Sequence, residues 1–176
     1  MKLDKSLAEK ALDVLDKKIT EARLGMVHLA IGGGGSMMLN HDYVGMTMDI
    51  DAVPTNIDFD QLKPFISEIA TELKISADWL NPYYGSFTHY LPQDSHSRMQ
   101  KVFSGQSLQV NSLGAEDIII MKLMAGRNKD RPHIMHLKKK KLNLKIVEKR
   151  LEELLKIHPS EAQKALDLFD EYFNEN

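Results

Sequence analysis

The chain has 176 residues, 43% hydrophobic and 27% charged, with a formal net charge of −2 and no cysteine. That length and balance suit one compact domain, or one domain with a small helical appendage. They exclude disulfides, thiolate metal sites and a cysteine nucleophile, and no apolar run approaches the ~20 residues needed to span a bilayer.

In chain order, Leu7, Ala8, Ala11, Leu12, Leu15, Ile19 and Ala22 recur at helical spacing. They predict a first helix with Asp4 or Ser6 as its cap. This charged start has no apolar h-region and predicts no signal peptide. The absence of cysteine fits a reducing compartment, so the chain reads as cytoplasmic and soluble. Residues 26–31 form a short apolar run and read as a buried strand. Four glycines and a serine follow, Gly32, Gly33, Gly34, Gly35 and Ser36, with a short helix expected over residues 36–40. Residues 46–53 alternate and predict a second strand. Asp58 is placed to cap a helix running to about residue 74, with Pro64 either kinking it or marking its first turn. Residues 75–100 are rich in Pro, Gly, Ser and aromatics and read as irregular. "QKVFSGQSLQVNSL" holds two short β-like runs around Gly105. Helical patterns then cover 115–126, with Gly126 near the end, then 130–140, 144–157 and 160–173. Ser160 with Gln163 spells a capping box for the last.

The glycine run is flanked by "MVHLAI" and "MML", whereas a flexible linker is flanked by polar sequence. No lysine follows it, as a Walker loop needs, and Met37 and Met38 stand where the dinucleotide fingerprint needs glycine. What remains is a strand, a glycine turn and a short helix. Such a turn either holds an anion on its amides or is simply a tight turn. Asp49 and Asp51 stand at i and i+2 of the second strand, so both leave one face with Cα atoms roughly 6.5–7 Å apart. Met48, Ile50 and Ala52 take the other face. Two carboxylates sharing a face repel unless a cation lies between them, and hard oxygens suit Mg²⁺ or Mn²⁺. The alternative is an edge strand with an acidic solvent face.

Residues 118–150 hold eleven Lys and Arg against two acids, Asp130 and Glu148. This basic stretch, with Lys138, Lys139, Lys140 and Lys141 at its centre, is either a solvated helical surface or a phosphate-binding face. His28 reads as a core histidine, and His133 and His136 as surface or packing residues. Trp79, Tyr83, Tyr84 and Phe87 form core or stack a base.

A hydrophobic residue, paired glycines or Gly-Ser, a short spacer and Asp-Ile-Asp at 49–51 together resemble the polymerase-beta-type nucleotidyltransferase superfamily. Gly32-Gly33 follow hydrophobic Ile31 with the longer spacer. Gly35-Ser36 follow a glycine and leave twelve residues before Asp49. Both registers stay open, with the backbone of the whole turn as the ligand. "DWLN" at 78–81 and "EDIIIMKLMAGRNKDRPHI" at 116–134 resemble segments of small bacterial nucleotidyltransferase-like proteins. The second segment also resembles AbiE-type toxins of toxin–antitoxin systems, with His133 where that motif has its second aspartate. The resemblance spans about residues 26–137.

It implies an α+β nucleotidyltransferase-type fold, a short mixed β-sheet flanked by helices. The core would be 1–137, with C-terminal helices 138–176 packing on it. It also implies that Asp49 and Asp51 bind Mg²⁺ or Mn²⁺, and that Gly32, Gly33, Gly34, Gly35, Ser36 and Thr47 hold the phosphates of an NTP. Lys122, Arg127 and Lys129 would neutralise the triphosphate or the leaving pyrophosphate. Asp130 would position Lys122, capture a metal or cap the next helix. For a third carboxylate, "SLQVNSL" offers no acid and Asp78 is the candidate by position. The implied activity is metal-dependent nucleotidyl transfer from an NTP to an acceptor such as RNA or tRNA, bound through Lys138 to Lys141. A toxin-like member would have an antitoxin partner. The alternative is a catalytically inactive nucleotide- or RNA-binding module.

Overall fold

The computed structural model describes residues 1–174, and its elements fall into two units. Met1–Ser86 and Met99–Leu113 form the first; Phe87–Arg98 and the residues from Gly114 onward form the second. The architecture is α+β, with a five-stranded mixed sheet and a helical C-terminal segment.

In the first unit, α1 (Lys5–Glu21) starts at Asp4, whose carboxylate accepts the Leu7 amide at 2.8 Å. Its buried stripe, Ala8, Ala11, Leu12, Leu15 and Ile19, follows the helical spacing of the sequence. Then come β1 (Val27–Ile31), α2 (Gly33–Asn40), β2 (Ile50–Pro54), α3 (Lys63–Leu73) and β3 (Leu80–Asn81). Pro64 lies in the first turn of α3, where its missing N–H costs nothing. The two β-like runs around Gly105 are the strands β4 (Gln100–Ser104) and β5 (Leu108–Ser112), paired as an antiparallel hairpin. The strand order is β3-β2-β1-β5-β4, with β1 parallel to β5, β2 parallel to β3, and the other pairs antiparallel.

Strand alternation divides the sheet's faces. Val27, Leu29, Ile31, Ile50, Ala52, Leu80, Leu108 and Val110 enter the core with the buried residues of α1 and α3. Trp79 is fully buried there and donates its indole N–H to the Ile66 carbonyl at 3.1 Å. The other face carries His28, Asp51, Val53, Asn81, Gln109 and Asn111, all half-buried. His28 therefore lies on this more polar face and not in the core. Asp16 of α1 holds the hairpin: its carboxylate accepts the amides of Gln106 (3.0 Å) and Ser107 (2.7 Å).

Two elements differ from expectation. The second strand begins at Ile50, not at residue 46, because its lead-in has only a single bridge, Thr47 to Leu3, and leaves Met46 and Met48 in solvent. The helix expected from residue 36 starts at Gly33.

The second unit contains α4 (Ala115–Ala125), α5 (Arg131–Leu137), α6 (Leu144–Leu155) and α7 (Pro159–Phe173). Every residue of α4 from Asp117 to Met124 is buried, and α6 and α7 pack on it. Arg98 reaches the buried Asp117 carboxylate through Nε (3.0 Å) and Nη2 (2.7 Å) and also pairs with Asp94. Burial pushes the Asp117 carboxyl up, against the opposing pull of Arg98. This pairing and the helix packing group α4 and residues 87–98 with the C-terminal helices. Gly126 ends α4 in the left-handed conformation, φ 58°. The capping box does not form: His158 is the N-cap of α7, and Gln163 bonds Asp167 at 2.9 Å. Among the described residues, no helix is long and apolar enough to cross a membrane.

Candidate active site

In the first unit the chain leaves the sheet at Gly32, whose amide donates to the Asp51 carbonyl at 3.0 Å. Gly32 is the N-cap of α2, and its carbonyl accepts the Ser36 amide at 3.1 Å. The amides of Gly33, Gly34 and Gly35 belong to the first turn and have no acceptor within the helix. Gly33 and Gly34 are half-exposed, whereas Gly35 is buried.

The glycines are explained by what passes against them. A Cβ on Gly33 would overlap Asp51 Oδ2 and lie 3.2 Å from its Cγ, and Gly33 also has φ +61°. A Cβ on Gly34 would stand 2.7 Å from Thr47 Oγ1. Only a side chain without a Cβ lets the aspartate strand and its lead-in lie this close to the helix start. Thr47 Oγ1 donates to the Asp49 carbonyl at 3.0 Å.

Ser36 is placed differently from Gly33 and Gly34. Its hydroxyl is fully buried in a hydrogen bond with Ser112, and its amide is used by Gly32. That leaves Gly33 and Gly34 as the half-exposed first-turn amides of the run.

Asp49 directly precedes β2 and Asp51 lies within it; both are half-buried, with buried Ile50 between them. Asp78 is exposed, in the turn before β3. The residue paired with Asp51 across the parallel β2–β3 ladder is Asn81. Pattern reading missed it because a two-residue strand among Pro and Tyr carries no periodicity. Among the described residues, no group of three or more His, Asp or Glu side chains could hold a metal ion. Of the aromatic cluster, Trp79 and Tyr84 are buried, Phe87 is half-buried, and Tyr83 is 55% exposed.

Lys122, Arg127, Lys129 and Asp130 belong to the second unit. Lys122 is only 4% exposed and does not snorkel to solvent. Its Nζ donates to Asp130 Oδ1 at 2.5 Å, while Arg127 Nε donates to Asp130 Oδ2 at 2.6 Å. His133 Nδ1 stands 3.8 Å from Oδ1. Burial pushes the Asp130 carboxyl up, but the neighbouring His133 ring and the Lys122 and Arg127 cations outweigh it and hold the group well below the usual carboxylate range. Asp130 makes no capping hydrogen bond to α5; it anchors the two cations. Two cations against one carboxylate leave a positive surplus beside a small pocket lined by Lys122, Gly126, Arg127, Asn128 and Tyr172. The Arg127 guanidinium lies 5.9 Å from the Phe87 ring centroid, and Lys129 is exposed. In the lysine run, Lys138 donates to the Tyr172 carbonyl, while Lys139 and Lys141 are exposed.

No curated protein and no solved structure matches the chain. One family model, described as a nucleotidyltransferase of unknown function (DUF6036), matches residues 10–175, and on that match the chain belongs to this nucleotidyltransferase family.

Proposed function

We propose that the protein transfers a nucleotidyl group from an NTP, with Asp49 and Asp51 as ligands for Mg²⁺ or Mn²⁺ and the turn at Gly33 and Gly34 as the phosphate cradle. The observation that carries this reading is the close approach of the Asp51 carboxylate to Gly33, at a helix start whose first-turn amides have no acceptor within the helix. A donor set of two carboxylates is hard and anionic and fits a divalent cation of this kind. When bound, such an ion neutralises phosphate charge and activates the attacking oxygen.

The chain's own groups do the rest. The Gly33 and Gly34 amides donate to phosphate oxygens, aided by the helix dipole. Thr47 fixes the backbone at Asp49. In the second unit, Asp130 holds Lys122 and Arg127, which with the exposed Lys129 make a basic surface suited to an anionic group. In the reaction, an acceptor hydroxyl oxygen bonds to the α-phosphorus and the bond to the β-bridging oxygen breaks. Pyrophosphate leaves, and the hydroxyl proton passes to solvent. RNA is the acceptor class we favour, because Lys139 and Lys141 are exposed within a stretch of strong positive surplus.

A catalytically silent nucleotide-binding module is the second reading, favoured by the two-acid site. Labelled-NTP transfer onto total RNA separates the two. The first reading expects transfer that is lost in Asp49→Asn/Asp51→Asn; metal-dependent NTP binding without transfer favours the second. Absence of NTP binding with either metal refutes both.

A further inference from the structure

We propose that Asn81 sets the charge of the aspartate site, so that the chain by itself holds one divalent cation and not two. This rests on the reading of Asp49 and Asp51 given above. Asn81 and Asp51 are paired across the parallel β2–β3 ladder, so their side chains leave the same face of neighbouring strands about 4.8 Å apart. Asn81 is half-buried, and its Oδ1 accepts the Tyr83 amide at 2.9 Å. This local turn opens the 3-10 segment Tyr83–Tyr90. Its Nδ2 makes only a long bond, 3.4 Å, to the carbonyl of the exposed Asp78.

An aspartate would accept the Tyr83 amide equally well, since Asp and Asn both form such turns. The turn is therefore nearly indifferent to the choice, and charge is what the amide changes. Aspartate at position 81 would place a third carboxylate beside Asp51, where like charges raise affinity for protons and cations alike. With asparagine there, the two aspartates carry a charge that one divalent ion neutralises. A second ion is then held only when nucleotide phosphates bring further negative charge, which makes full metal loading conditional on nucleotide.

The test is Mn²⁺ binding to the full chain without nucleotide, read from the electron paramagnetic resonance of the free ion. The wild type should bind one ion per chain, and Asp51→Asn should lose it. Asn81→Asp should add a second ion or bind roughly tenfold tighter or more, as ligand charge count governs affinity. Asn81→Ser keeps a short turn acceptor without charge and should match the wild type. Emission from Trp79, the chain's one tryptophan, checks that each variant is folded. Two ions on the wild type, or an Asn81→Asp variant with wild-type affinity and stoichiometry, overturns the inference alone. Mn²⁺ binding that is absent from the wild type, or that survives Asp51→Asn, overturns both the inference and the site reading beneath it.

Discussion

Replacing Gly33 by alanine probes the aspartate site with a single methyl group. Two costs follow from the structure. Gly33 has φ +61°, and a left-handed backbone costs an L-residue roughly 1–2 kcal/mol. The methyl would also overlap Asp51 Oδ2, so the carboxylate must move by about 1 Å to regain an ordinary carbon–oxygen separation of roughly 3.3 Å. Gly25 supplies the control. Its φ is +78°, yet nothing lies within 4 Å of an added Cβ. Gly25→Ala therefore carries the strain without the displacement. For a chain of this size each kcal/mol shifts Tm by about 2–4 °C, so both variants should melt roughly 2–8 °C below the wild type. Only Gly33→Ala should lose metal-dependent NTP binding and transfer, since a 1 Å misplacement at a reacting centre costs about 10²-fold in rate. Calorimetry of NTP binding with Mn²⁺, alongside labelled-NTP transfer, reads the difference. A Gly33→Ala protein that binds and transfers like Gly25→Ala would refute the idea that Gly33 exists to seat the Asp51 carboxylate.

Lys122→Met leaves a buried carboxylate short of one partner and should cost about 3–5 kcal/mol. Urea denaturation followed by far-ultraviolet circular dichroism measures it, and adding Asp130→Asn should recover part of the loss. The Asp130 carboxyl is held below its ordinary value near 3.8, so its stabilising contribution is complete above that pH and is lost as the pH falls through the depressed folded value. The destabilisation caused by Asp130→Asn should therefore be larger at pH 7 than at pH 2, and an equal penalty at both would contradict the assignment. Asp16→Ala should free the amides of Gln106 and Ser107, seen as faster hydrogen exchange there, while NTP binding stays unchanged. If RNA runs along the lysine stretch, Lys139→Ala/Lys141→Ala should weaken RNA binding and flatten its salt dependence by about two counterions.

Where local pattern and local chemistry agree, the sequence reads correctly. The stripe of α1, the Asp4 cap, the Gly126 helix end and the hairpin around Gly105 all needed only neighbours in the chain. Asp49 and Asp51 were read as sharing one face of a strand, and the strand reaches only Asp51: Asp49 stands just before it. What failed depended on distant partners. Glycine's low helix propensity argued for starting α2 at Ser36, but the approach of Asp51 and Thr47 makes glycine the only fit in its first turn. The bond between the Ser36 and Ser112 hydroxyls likewise joins residues far apart in the chain. The pairing of Lys122 with Asp130 came from the resemblance and not from spacing, because the two meet across the left-handed Gly126, a bend that helical spacing cannot anticipate. Asn81 was hidden because its strand is two residues long and is defined only by its partner, β2.

The order of strands has a consequence for synthesis. Residues 87–98 belong to the second unit, yet they are made before β4 and β5, which complete the first. Central strand β1 acquires its parallel partner only when Leu108–Ser112 have left the ribosome. Until then one edge of Val27–Ile31 stays open for pairing with another chain. A stop or cleavage anywhere between β3 and β5 therefore yields a fragment in which apolar β1 is an edge strand with one side unpaired, prone to aggregate. Neither unit can be excised as one continuous segment, and a useful dissection of this protein must join 1–86 to 99–113 through a new turn.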